Sequence, residues 1–166
     1  MIRRVALPAA LFALALLGFG PIAAPAQRPE DAMIARGKYL VAFGGCNDCH
    51  TPGWRESFGN VPVSGWMIGP TTGFRGPWGT VYPANVRRRF LQISEADWLF
   101  TIRTREGRPP AVWHDLRVLT TYDRRAIYRF IRSLGNGGSR SLPDVPPDKT
   151  PTTPYYILGT PKIEHS

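Results

Sequence analysis

The chain has 166 residues with 21 lysines and arginines against 12 acidic residues, a formal charge of +9. Such a basic surface meets nucleic acid, acidic lipid or an acidic protein partner, and the export segment at the N-terminus argues against nucleic acid. Two cysteines, three positions apart, exclude a scaffold held by several disulfides.

Residues 1–26 read as a signal peptide. Arg3 and Arg4 form a short basic region, Val5 to Phe19 an apolar one, and Ala24-Pro25-Ala26 an A-x-A-like cleavage site. The apolar run is short for a bilayer span, which needs about 20 residues, and Pro8, Gly18 and Pro21 interrupt it. Cleavage is the favoured reading, and membrane association follows only if the segment is retained. Loss of Arg3 and Arg4 leaves a formal +7 on residues 27–166.

A first helix is expected from Pro29, a residue suited to the first helical position, to Gly44-Gly45. Met33, Ile34, Gly37, Leu40, Val41 and Phe43 give it an apolar side. It runs into Cys46-Asn47-Asp48-Cys49-His50, a C-x-x-C-H run and the attachment signature of a c-type haem. Two thiols three apart reach one porphyrin edge and add across its vinyl groups, and the adjacent His50 supplies the proximal imidazole. A CxxC pair also occurs in redox dithiols and zinc sites. A tetrahedral zinc needs about four ligands, and the other histidines, His114 and His165, are far apart in sequence. A dithiol oxidoreductase wants a strand before the motif, and here a helical pattern precedes it. Haem is attached outside the cytoplasm, which agrees with the signal peptide and places the protein in a bacterial periplasm.

Residues 52–93 are rich in Gly and Pro, with Trp54, Trp66, Trp78 and Tyr82 among them. A loop this long needs a reason, and wrapping a porphyrin supplies one. A second helix is expected from the capping-box-like Ser94-Glu95-Ala96-Asp97, with Trp98, Leu99 and Ile102 as its stripe. A third starts at Thr120 or Thr121, carries Ile127, Phe130, Ile131 and Leu134 at helical spacing, and stops at Gly135. Gly37 is positioned to let the first and third helices cross closely. Residues 136–166 read as a Pro-rich extended arm, and Tyr155, Tyr156, Ile157 and Leu158 suggest that it docks, on this domain or on a partner. The expected division is thus 1–26 signal peptide, 27–135 haem domain and 136–166 arm.

Residues 36–52 (RGKYLVAFGGCNDCHTP), Gly76-Pro77-Trp78-Gly79-Thr80-Val81-Tyr82 with Asn85, the Ser94–Trp98 start and Trp113 to Leu134 resemble a bacterial monohaem class I cytochrome c group. That group is similar to the cytochrome c subunits of periplasmic dehydrogenases and molybdenum hydroxylases. The resemblance covers roughly residues 30–135. It implies an all-α fold of three main helices around one covalent haem, with a long irregular loop and an extended arm. It also implies one-electron transfer to protein redox partners, dehydrogenase subunits among them, rather than catalysis. Tyr82, Asn85 and Trp113 are implied propionate contacts, and equally suit the core of the loop. A carbonyl in the position of Pro62, twelve residues after His50, commonly accepts the histidine Nδ1–H. Arg87-Arg88-Arg89 reads by default as a solvated charge run, with propionates or an acidic partner as alternatives.

The group usually carries Met-Pro-Trp after an Arg-Pro-Pro-like lead, and that methionine is the sixth iron ligand. Here Arg108-Pro109-Pro110 is followed by Ala111-Val112-Trp113, and a methyl group cannot bind iron. Met67 and His114 are the candidate replacements, with water or an open position as the third reading; Lys149, Lys162 and His165 are remote candidates. The leading function is one-electron transfer. The alternatives are a ligand-binding or peroxidase-like haem protein with an open distal side, where His114 is the main acid–base candidate, and a haem subunit docked on a larger dehydrogenase.

Overall fold

The structure is a computed structural model that describes residues 28–107, 109–110 and 113–159. The signal peptide with its cleavage site, Ala111 and Val112 where Met-Pro is expected, and Lys162 and His165 lie outside the described residues.

Helix α1, Pro29–Phe43, opens with proline in its first turn and Glu30 and Asp31 beside the exposed N–H groups, which a helix N-terminus favours. It closes where Gly44 N–H donates to Leu40 O at 2.8 Å. Gly45, at φ +67°, turns the chain into a separate short helix, α2, Cys46–His50. Helix α6, Thr121–Ser133, is capped by Thr120, whose hydroxyl accepts from Asp123 N–H, and stops before Gly135. Its buried face holds Ala126, Ile127, Tyr128, Phe130 and Ile131.

Helices α1 and α6 cross at Gly37. A Cβ there would stand 2.0 Å from Ala126 O and 2.6 Å from Phe130 Cβ. Only a residue without a side chain permits that approach, and Arg36 braces the crossing by bonding Asp123 at 2.9 Å. Because α2 follows α1 after two residues, this crossing also fixes where the cysteines lie.

Helix α4, Glu95–Thr104, begins with the expected capping box, in which Ser94 and Asp97 satisfy each other's backbone N–H groups. It buries Trp98 and Ile102. Trp98 Nε1–H donates to Arg124 O at 3.0 Å, tying α4 to α6. Phe90 packs between Trp98 and Tyr128, with ring centroids 4.8 and 5.3 Å away. Two further short helices, α3, Val86–Leu91, and α5, Trp113–Val118, were not read from the sequence.

The fold is mostly helical rather than all-α. Strands β1, Gly73–Gly76, and β2, Gly79–Val81, form an antiparallel hairpin within the wrapping loop, and β3, Tyr155–Ile157, from the arm adds to β1 in parallel. The arm therefore docks on its own domain. Arg75 fastens it by donating to Pro147 O and Lys149 O at 3.1 and 2.9 Å, and Thr80 and Val145 exchange backbone bonds at 2.7 and 2.9 Å. Backbone groups that a bare loop would leave to solvent are satisfied by this pairing. Among the described residues no helix is long and apolar enough to cross a membrane.

Candidate haem-binding site

Helix α2 is little more than one turn, so Cys46 and Cys49, at i and i+3, share a face and His50 follows directly. Both thiols are free and partly buried. Burial pushes Cys46 up to about 11, with neighbouring Cys49 and Asp48 adding to the rise. Burial also raises Cys49, against the opposing pull of Arg55. A catalytic dithiol needs the reverse, a depressed pKa that supplies thiolate at neutral pH. No group of three or more His, Cys, Asp or Glu side chains gathers among the described residues to complete a zinc site.

His50 is held by its ring. Its Nδ1 lies 2.8 Å from Ala84 O. A carbonyl only accepts, so Nδ1 carries the proton and Nε2 keeps the lone pair that a metal takes. Burial depresses the pKa of His50, opposed by the bond to Ala84, and so favours this neutral form. The expectation for Pro62 is corrected here. Its carbonyl accepts from Gly65 N–H at 2.8 Å and starts the 3-10 turn Val63–Gly65, while Ala84 takes the histidine bond. Two thiols on one face beside an imidazole with a fixed tautomer are the donor set that covalent haem requires, and the residues present fit it.

The segment after α2 is tied back to it. Gly69 N–H donates to His50 O at 2.9 Å, and Thr51 Oγ1 donates to Asn47 Oδ1 at 2.7 Å while accepting Met67 N–H at 2.9 Å. Met67 is 3% exposed and packs in the main core cluster with Val41, Trp66 and Ile131. Its backbone, at φ +62°, accepts from Val86 and Arg87 N–H groups. The His114 side chain is 78% exposed, with Nε2 2.9 Å from Asp115 Oδ1.

Tyr82 and Asn85 are both buried and both face the arm. Tyr82 OH bonds Thr153 Oγ1, and its N–H donates to Asp144. Asn85 caps α3 by accepting Arg88 N–H, and its Nδ2 donates to Gly137 O and Ser139 O at 2.7 and 2.9 Å. Trp113, half-buried, starts α5 with its ring 6.3 Å from Trp98 and beneath the Arg105 guanidinium. Tyr82 and Asn85 thus come near the His50 support; Trp113 stands with α4.

Within the arginine run, Arg87 departs from the solvated reading. It is 4% exposed and donates to Trp66 O, Val63 O, Ser64 O and Leu134 O at 2.7, 3.0, 2.9 and 3.2 Å. It staples the wrapping loop to the end of α6. Arg89 is exposed and Arg88 half-buried. The sequence reading missed Ala84, which acts through a backbone carbonyl and so carries no residue-type signal. It also missed Arg75 and the partner of Tyr156, a residue expected to dock the arm, whose hydroxyl donates to Glu56 Oε1 at 2.6 Å, seven residues past Cys49.

No protein-family model matches the chain, and no solved structure does. The chain is similar to the gluconate 2-dehydrogenase cytochrome c subunit of Pantoea cypripedii, with 30% identity over 122 residues. The similarity covers 64% of this chain and 27% of that protein, so the chain spans about a quarter of the relative's length. It is a distant, partial relationship, consistent with a cytochrome c of a dehydrogenase.

Proposed function

We propose that this protein is an exported one-electron carrier holding a single haem c, covalently bound through Cys46 and Cys49 and ligated by His50. The observation that carries the reading is the geometry of α2: two free thiols on one face and an imidazole whose Nδ1–H is committed to Ala84 O. When bound, a haem c supplies one-electron Fe(III)/Fe(II) chemistry. The chain's own part is to bind, orient and tune. The α1–α6 crossing sets the position of α2, Ala84 fixes the ring of His50, and the arm covers the loop beyond it. The basic balance, +7 once residues 1–26 are removed, suits an acidic surface on a protein partner and favours fast, salt-sensitive encounter.

The relative favours a second reading of the same site, a haem subunit that docks on a dehydrogenase. Both readings make this chain an electron carrier and differ only in how long the partner stays.

We place no strong protein ligand at the sixth iron position. In support, Met67 is packed in the core, the ring of His114 lies against Asp115 at the surface, and residue 111 is alanine. Optical spectra of the purified oxidised and reduced protein test this, followed by carbon monoxide titration of the reduced form. The expected result is a haem c spectrum with high-spin character and ready carbon monoxide binding. A low-spin protein that refuses carbon monoxide, and that loses its sixth ligand in Met67→Ala or His114→Ala, would assign that residue and remove the open-site reading.

A further inference from the structure

The peptide group joining Ala84 to Asn85 is bonded on both sides. Its carbonyl accepts the Nδ1–H of His50 at 2.8 Å, and its N–H donates to Ser141 Oγ at 2.7 Å. Ser141 belongs to the arm, 56 residues on in sequence. The peptide is wedged in place. A Cβ on Gly69 would stand 2.8 Å from Asn85 N and 3.1 Å from Ala84 C, so the loop after the haem motif backs directly onto it. Asn85, 3% exposed, holds the neighbouring arm backbone through Gly137 O and Ser139 O. Hydrogen bonds in series polarise one another, by about 10–30% per bond. An acceptor on the N–H side of a peptide makes its carbonyl a better acceptor, and a better acceptor on Nδ1–H makes the imidazole a stronger donor at Nε2.

We infer that Ser141 is a positioning residue for His50, acting through the 84–85 peptide, so that the C-terminal arm tunes the proximal histidine from 56 residues past Asn85 in sequence. This rests on the haem c reading above. A more electron-rich proximal imidazole stabilises Fe(III) over Fe(II), so the serine hydroxyl lowers the midpoint potential. Docking alone does not account for the hydroxyl, because β3, Arg75 and Tyr156 fasten the arm at sites away from this peptide.

The test compares Ser141→Thr with Ser141→Val in the full-length holoprotein. The two side chains have the same shape and differ by a hydroxyl. The readouts are midpoint potential by spectroelectrochemistry and arm docking by limited proteolysis. Ser141→Val is expected to raise the potential, with a several-fold greater reduced fraction at fixed poise, where tenfold is about 59 mV for a one-electron couple. Ser141→Thr should stay near wild type, and so should Tyr156→Phe, which loosens the arm without touching the peptide. Ser141→Ala gives the same reading as the valine. Equal potentials in the threonine and valine variants, with the arm protected in both, overturn the inference. So does a shift in Tyr156→Phe as large as that in Ser141→Val, since any loosening of the arm would then suffice. A wild-type protein without covalent haem would instead overturn the underlying reading, a result visible before any variant is made.

Discussion

A Cys46→Ala, Cys49→Ala double variant is expected to surrender its haem to acidified acetone, where the wild-type protein retains it. Each thiol at i and i+3 of α2 offers one thioether bond, and the described structure holds no other cysteine. The effect should be complete rather than graded, because a coordination bond from His50 dissociates in acid and a thioether does not. Each single variant keeps one bond and should resist extraction, with an altered spectrum from the unsaturated vinyl group. Haem that resists extraction from the double variant would show that the cysteines are not the attachment points.

Arg87→Met should be strongly destabilising although it lies outside the haem motif, costing about 3–5 kcal/mol of stability. The guanidinium serves four backbone carbonyls, and a hydrogen bond to a charged group contributes about 1.5–3 kcal/mol, with non-additive totals for neighbours. Methionine fills the volume but withdraws the charged donor from all four carbonyls, of which Val63 O keeps the Trp66 N–H at 3.1 Å. Lysine should rescue little, because one ammonium cannot reproduce a planar fork. Denaturant unfolding of the holoprotein checks this as a lower midpoint at unchanged slope. Arg89→Gln, on the exposed neighbour, should stay within about 0.5 kcal/mol of wild type. Equal behaviour of the two variants would return Arg87 to the solvated surface.

The contrast between these arginines shows where sequence reading stops. Three consecutive arginines look alike in a pattern. Only the α3 backbone, started by the Asn85 cap, turns the first inward toward the Trp66 and Leu134 carbonyls while the third faces water. The three main helices were legible because their signals are local. Pro29, the Ser94–Asp97 box and the Thr120 cap mark starts, and glycines mark the stops of α1 and α6. Gly37 was legible because a glycine within an apolar stripe has a packing reason. The sheet was not. Its strands are three or four residues long, β1 and β2 carry glycine, and β1 meets β3 only across 78 intervening residues. The cysteines and histidine of the site stand out by residue type. Their support does not, since the Ala84 carbonyl is common to every residue and Ser141 reaches it only after the arm folds back.

Covalent attachment of one haem through Cys46 and Cys49 is tested most directly by the intact mass of the purified protein, produced in a host that attaches haem c, together with thiol alkylation after denaturation. The expected mass is that of the polypeptide plus one haem, with no thiol available to the alkylating reagent. A bare polypeptide mass with two alkylated cysteines would contradict it.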